Sequence, residues 1–230
     1  MSKITRAIRD RNTTKQLFAY LVLFWSFLGI LMQMIRALMS VHPLGYLLLN
    51  YVYFTTQSNL LLIVVSSLFL FSKKRGMFYT SIAFIALINI GITAVVFHTL
   101  LIPFMGSVSF LNHILHTITP ILYILFYFLV IEEHPPLKKF WLALVYPLVY
   151  LLFVYLFVEP IIGDYMDNIM TTFDSARYVY PFLDPSNYDQ GIKQMLLFNL
   201  GVLAPIITLF SFVLCWFKNW FESKHTNFKS

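Results

Sequence analysis

Two histidines, one helical turn apart, interrupt an apolar segment that reads LNHILHTITP at residues 111–120. A neutral imidazole accepts a proton near neutral pH and can also bind a metal ion. Polar side chains are costly in apolar surroundings unless they find partners. The segment therefore indicates a functional role for at least one histidine. The side chains that share one helical face, with Asn112 at its border, are His113, His116, Thr117 and Pro120.

A second polar group lies in YFTTQSNLL at residues 53–61, where Thr55 and Asn59 share a helical face. A hydroxyl becomes a good nucleophile when a neighbouring base accepts its proton, and a neutral imidazole is such a base. Thr55 and His116 are therefore a candidate nucleophile and base. The side chains expected to orient the imidazole or to donate to an oxyanion are Asn59, Asn112 and His113.

The same residues allow other chemistry. A zinc site would take three ligands from His98, His113 and His116, with Asp184 or another loop carboxylate as the fourth, and would generate a hydroxide nucleophile. A haem would lie between His98 and a histidine of residues 111–120. A binding or transport site for a lipid or a small solute would use these polar groups without a nucleophile. Asn59 also fits a purely structural role between helices. The residue pattern alone leaves these alternatives open.

The composition defines the class of protein that must position these residues. Of 230 residues, 59% are hydrophobic and 11% are charged, whereas a soluble domain carries about 25% charged residues. The apolar runs reach the roughly 20 residues that a helix needs to cross a bilayer. The net charge of +6 lies in short segments between these runs, which argues against a nucleic-acid partner. The single cysteine, Cys215, excludes an intramolecular disulfide.

The hydrophobic runs predict an all-α polytopic membrane protein with six spans. They are residues 17–39, 47–71, 77–102, 110–131, 140–158 and 192–217. All but three of the sixteen lysines and arginines fall on one side of this arrangement, and the exceptions are Arg36, Arg177 and Lys193. The positive-inside rule then places both termini in the cytoplasm. The long acidic loop at residues 159–191 is expected to face outward.

Depth in the bilayer relates the two polar groups. Spans two and four run inward, and a rise of 1.5 Å per residue places Thr55 about 12 Å and His116 about 9 Å below the outer surface. Arg36 and His98 lie near the outer ends of spans one and three. Residues from four helices thus fall in the same half of the bilayer. This predicts a polar cavity there, although Arg36 at a helix end also fits snorkelling towards headgroups.

Three motifs carry a resemblance over most of the chain. YFTTQSNLL, LNHILHTITP and VYPFLD resemble, in this order, motifs of the androgen-induced membrane protein family, and the chain is similar to bacterial six-helix membrane proteins that share them. The resemblance implies a multi-pass threonine hydrolase that cleaves fatty acid esters of hydroxy fatty acids. It implies Thr55 as the nucleophile and His116 as the base. The spacing after Thr55 differs from the family pattern and leaves Thr56 as the alternative nucleophile.

These inferences combine into one expectation: a lipid-ester hydrolase in the cell membrane that needs no cofactor and meets its substrate among membrane lipids. Arg36 is expected to hold a carboxylate end of the substrate, because a guanidinium pairs well with a carboxylate. Gln33 is also expected to bind the substrate. Tyr180 and Asp184 are expected to belong to a lid formed by the outer loop. Apolar walls are expected to accept acyl chains from the bilayer.

Overall fold

The computed structural model describes residues 7–9, 11–72, 75–102, 107–170 and 176–226. Six helices in this part of the chain are long and apolar enough to cross a membrane, and the described residues form no strand. The prediction of an all-α chain with six such helices is confirmed. Several charged residues used to predict the topology lie outside the described residues: Lys3, Arg6, Lys73, Lys74, Asp174 and Lys229.

A short helix precedes the second span, so seven helices are numbered in chain order. They are α1 Asn12–Leu38, α2 Pro43–Val52, α3 Phe54–Phe71, α4 Met77–Leu101, α5 Phe110–Leu129, α6 Leu137–Ile169 and α7 Ile192–Lys224. Helix α1 packs on α2, α3 and α5, while α4 packs on α3, α5, α6 and α7. Side chains from α3, α4 and α5 meet in the core, among them Leu62, Phe84 and Phe126.

The predicted second span at residues 47–71 is wrong in one respect, because the chain breaks at Tyr53 into α2 and α3. Tyr53 has extended backbone angles, with φ −65° and ψ 131°. A break inside an apolar layer exposes backbone groups that need partners. The Val52 carbonyl finds one, since the Tyr150 hydroxyl of α6 donates to it at 3.0 Å. The break is thus stabilised by a contact between helices.

The fifth predicted span, 140–158, also needs correction, because α6 continues to Ile169. Three acidic residues of the predicted loop, Glu159, Asp164 and Asp167, lie on this helix and bind Arg177. The Arg177 guanidinium is 2.7 Å from Asp167, 2.6 Å from Asp164 and 3.4 Å from Glu159. These ion pairs fasten the following loop to the end of α6, and the side-chain hydrogen bonds from Asp167 and Asp164 raise the pKa of Arg177.

Large apolar side chains cover the outer faces of the bundle. Phe24 on α1, Phe157 on α6 and Leu209 on α7 are each more than half exposed. Helices α6 and α7 are the least buried of the six, with 22% and 11% of their most apolar windows buried. Such faces suit contact with lipid, which is as apolar as these side chains. This fits a protein that crosses a membrane several times.

A buried ionic cluster closes the end of α5 that lies away from the α2–α3 break. The Glu222 carboxylate accepts hydrogen bonds from Arg9 at 2.7 and 2.8 Å and from Lys218 at 2.7 Å. The Lys218 side chain is only 1% exposed. The last carbonyls of a helix lack intrahelical donors. Arg9 and Lys218 supply donors to the carbonyls of Tyr127, Phe128, Leu129 and Ile131.

Candidate functional site

A cavity of about 400 Å³ lies between α3, α4, α5, α6, α7 and the loop before α7. Most of its wall is aliphatic or aromatic, which is typical of sites that bind small apolar molecules. The polar side chains among its lining residues are Thr55, Thr93, Thr99, His116, Tyr150, Tyr180 and Asn199. The cavity therefore brings together Thr55 from the first turn of α3 and His116 from α5.

Thr55 lies at a helix start whose amides lack intrahelical acceptors. The first intrahelical bond of α3 runs from the Gln57 amide to the Tyr53 carbonyl at 3.1 Å, so the amides of Phe54, Thr55 and Thr56 remain available. The partial positive charge of a helix N-terminus favours negative charge nearby. A nucleophile in this position has donors beside it for a developing oxyanion.

Tyr180 comes from the loop and contacts this helix start. Its hydroxyl lies close to the Thr55 hydroxyl and to the backbone amides of Phe54 and Thr55. Burial raises the pKa of Tyr180 above its ordinary value, although these neighbouring donors act in the opposite direction; the hydroxyl is therefore protonated at neutral pH. The preceding residue, Val179, has a φ of 69°. A β-branched residue rarely adopts this conformation, and such strain tends to occur at functional sites.

His116 lies in a π-helical turn of α5, Ile114–Ile118, and its ring stacks on Phe97 with centroids 4.0 Å apart and planes 11° apart. Its Nδ1 atom is buried and has no hydrogen-bond partner. In the described part of the chain, no hydrogen bond joins this imidazole to the Thr55 hydroxyl.

The other two histidines of the predicted site lie elsewhere. His98 is exposed and its Nε2 is 3.0 Å from the Thr117 hydroxyl. His113 is exposed whereas His116 is partly buried, since the π-helical turn changes the angle between them. Within the described ranges, no three His, Cys, Asp or Glu side chains are grouped as a metal site requires. The four suggested zinc ligands therefore do not converge.

Asn59 connects two helices. Its amide donates to the Thr55 carbonyl at 2.9 Å and to the Leu115 carbonyl at 3.4 Å, while its oxygen accepts from the Thr119 hydroxyl at 2.8 Å. This fully buried side chain does not line the cavity. Asn112, on the first turn of α5, does not line it either. Asn59 thus positions Thr55 through the backbone and holds α3 against α5.

The two threonines of the motif have different surroundings. Thr55 lines the cavity, whereas Thr56 is 1% exposed and its hydroxyl donates to the Gln33 side chain of α1 at 3.2 Å. Gln33 is therefore engaged with Thr56 and does not line the cavity. The geometry favours Thr55 as the group that can reach a ligand.

The expected carboxylate clamp and part of the expected lid are absent from the cavity wall. Arg36 is exposed and is not among the lining residues. Asp184 is buried outside the wall, where its carboxylate accepts from the Ser186 amide at 2.8 Å and the Ser186 hydroxyl at 2.7 Å. The loop contributes Tyr180, Phe182 and Leu183 instead. Hydropathy places residues in depth but does not fix how each helix is rotated about its axis.

The sequence did not reveal several wall residues. Thr93 is not among the predicted site residues, yet it lines the cavity together with His116, and so do Phe97, Tyr150 and Asn199. Three π-helical segments contribute to the wall: Phe97–Leu101, Ile114–Ile118 and Asn199–Leu203. Such segments are frequent at functional sites. The sequence offers one signal for such wall residues, which is a polar residue such as Asn199 within an apolar span.

The structural role of Asn59 leads to a prediction. Asn59→Ala is expected to destabilise the protein by about 1 kcal/mol, because it removes hydrogen bonds between α3 and α5. Ser66→Ala is the matched control, since the buried Ser66 hydroxyl bonds only to carbonyls of its own helix. Denaturant unfolding in detergent would compare the two variants. Unchanged stability together with a large loss of activity would instead assign Asn59 a direct chemical role.

Comparisons with protein-family models, curated proteins and solved structures of other proteins found no match to this chain.

Proposed function

We propose that this protein is a membrane-embedded lipid-ester hydrolase in which Thr55 is the nucleophile and His116 the general base. The observation that supports this most directly is that both side chains line one largely apolar cavity. Thr55 lies at a helix start whose amides lack intrahelical acceptors, and the buried Nδ1 atom of His116 has no hydrogen-bond partner. The motifs that resemble a family of threonine hydrolases contain the same two residues.

In the proposed reaction, Thr55 Oγ attacks the ester carbonyl carbon while His116 accepts the hydroxyl proton. The amides of Phe54 and Thr55 then stabilise the negative charge that develops on the carbonyl oxygen. The substrate takes these donors from the Tyr180 hydroxyl, which moves aside. Collapse of the intermediate expels the alcohol, protonated by His116, and leaves an acyl-threonine. His116 next activates a water molecule, which releases the acid and restores Thr55.

Labelling by a fluorophosphonate probe tests this proposal. The purified protein would be treated in detergent, digested, and the modified residue located by mass spectrometry. The expected adduct is on Thr55, and the His116→Ala variant should label far more slowly because the hydroxyl then lacks its base. An adduct on Thr56, or an unmodified protein under conditions that label a control serine hydrolase, would contradict the assignment.

A non-catalytic lipid-binding or transport site is the second candidate function. The absence of a direct Thr55–His116 hydrogen bond in the described structure and the mainly apolar wall favour it. The two functions separate on substitution, because Thr55→Ala abolishes hydrolysis but preserves binding. A wild-type protein that binds a lipid ester and never cleaves it would support this second function.

We further propose that both termini face the cytoplasm and that the protein lies in the cell membrane. The distribution of lysine and arginine supports this orientation. In a Cys215→Ala background, Lys193→Cys is expected to react with an impermeant maleimide applied to intact cells. Lys224→Cys should react only after permeabilisation, and both positions are exposed. The reverse pattern of labelling would invert the topology.

A further inference from the structure

The polar side chains that line the cavity belong to uncharged residue types, except for His116, whose imidazole can take up a proton. Of its described lining residues, none is lysine, arginine, aspartate or glutamate. Two segments outside the described residues, 103–106 and 171–175, are close in sequence to residues that line the cavity. Neither segment contains a lysine or an arginine. The site thus combines hydroxyl, amide and imidazole groups with a largely apolar wall.

Arg36, Arg177 and Lys193 are the three cations that the topology prediction places on the outer side, and none of them lines the cavity. Arg36 is exposed on α1 and lies outside the cavity wall. Arg177 is bound to Asp167, Asp164 and Glu159. Lys193 is exposed at the start of α7 and does not line the cavity. An anionic headgroup in the cavity would therefore find no fixed positive side chain.

The acyl chain contributes little to the choice of ligand. A chain that moves from the bilayer into an apolar cavity exchanges one apolar environment for another, so its transfer gains little hydrophobic energy. The head must therefore decide which lipid is retained. Burying a charged head without a partner is costly, whereas an uncharged ester or hydroxyl needs only hydrogen bonds. The Tyr180 and Thr93 hydroxyl oxygens in the wall can accept a hydrogen bond from a lipid hydroxyl. The backbone amides at the start of α3 can donate to an ester carbonyl.

We infer that the cavity selects an uncharged ester lipid of the acylglycerol type over lipids that carry a carboxylate or phosphate. The statements about the reaction rest on the proposed function, whereas the selection of the bound lipid does not. Hydrolysis converts the neutral ester and water into an alcohol and a fatty acid. The acid ionises on release, and its carboxylate has no lysine or arginine to hold it in the cavity. The product therefore leaves more readily than the substrate.

Competition for photo-crosslinking tests the selection without catalysis. The Thr55→Ala variant in lipid nanodiscs would be crosslinked with a diazirine-bearing monoacylglycerol, and monooleoylglycerol, oleate and phosphatidic acid would compete. We expect monooleoylglycerol to compete at concentrations at least tenfold below those of the two anions. Equal competition by oleate would overturn the inference, as would crosslinking that maps outside the cavity wall.

A charge introduced at the wall provides a second test. Phe182 stacks on Tyr180 and lines the cavity from the loop, so Phe182→Arg is expected to shift the preference at least tenfold towards oleate. Phe182→Gln is the uncharged control and should leave the ratio unchanged. An identical ratio in Phe182→Arg would contradict selection by charge.

Turnover by the wild-type protein separates the two proposals. A monoacylglycerol that binds selectively and is never cleaved would end the proposed hydrolase function and leave the selectivity standing. An ester with a free carboxylate that is cleaved as fast as its methyl ester would end the selectivity and leave the hydrolase standing.

Discussion

Replacing Thr55 with alanine is expected to lower kcat/KM for lipid-ester hydrolysis by at least about a thousandfold, because no other group replaces a missing nucleophile. Thr55 is the hydroxyl of its motif that lines the cavity. Thr55→Ser should retain measurable activity, since the hydroxyl remains at the start of α3. Release of fatty acid from a neutral ester by the purified variants would measure these rates.

Thr56→Ala is the matched control at the adjacent position. Thr56 is buried and bonded to Gln33, so its loss is expected to affect packing between α3 and α1 and to change the rate by less than about tenfold. The opposite ranking, with Thr56→Ala inactive and Thr55→Ala active, would move the nucleophile by one residue. It would also separate the reaction from this cavity.

His116 provides a test of whether the two residues act as a unit. His116→Ala alone is expected to lose most of the activity, and adding Thr55→Ala should cost little more, because residues of one catalytic unit are strongly non-additive. Phe97→Leu is a useful comparison, since Phe97 stacks on the imidazole without chemistry of its own. Independent losses that multiply in the double variant would show that Thr55 and His116 do not share one step.

Regular helix geometry explains which parts of this site the sequence could predict. The rise per residue is nearly constant, so depth along two helices could be calculated, and Thr55 and His116 do line one cavity. The rotation of each helix about its axis depends on packing, which the sequence does not give. The sequence therefore predicts Arg36 and Gln33 in the site and misses Thr93, whereas only Thr93 lines the cavity. The π-helical turn at Ile114–Ile118 changed the expected face of α5 in the same way.

The break at Tyr53 could not be predicted, for a different physical reason. The local sequence NYVYFTT contains neither glycine nor proline, which are the usual local signals for a break. The partners of its free backbone groups come from distant parts of the chain, namely Tyr150 on α6 and Tyr180 in the loop. The break, and with it the helix start at Thr55, therefore depends on tertiary contacts that a sequence window around the motif does not show.

Glu222→Gln is expected to give the largest loss of stability, about 3–5 kcal/mol, because it leaves two buried cations without their carboxylate. Lys218 is almost fully buried and both it and Arg9 bond to Glu222. The variant keeps the size of the side chain and removes only its charge. Denaturant unfolding in detergent, followed by tryptophan fluorescence or circular dichroism, would measure the free energy of unfolding.

Two comparisons establish whether the buried charge causes that loss. Lys15→Ala removes a more exposed ion pair with Glu132 and should cost at most about 1 kcal/mol. Adding Lys218→Met to Glu222→Gln should recover part of the stability, because one uncompensated cation is then gone. A loss in Glu222→Gln no greater than that in Lys15→Ala would contradict the prediction. Since Arg9 and Lys218 also bond to the carbonyls at the end of α5, such a result would indicate that these bonds contribute more to the stability of this end of the bundle than the ionic contacts do.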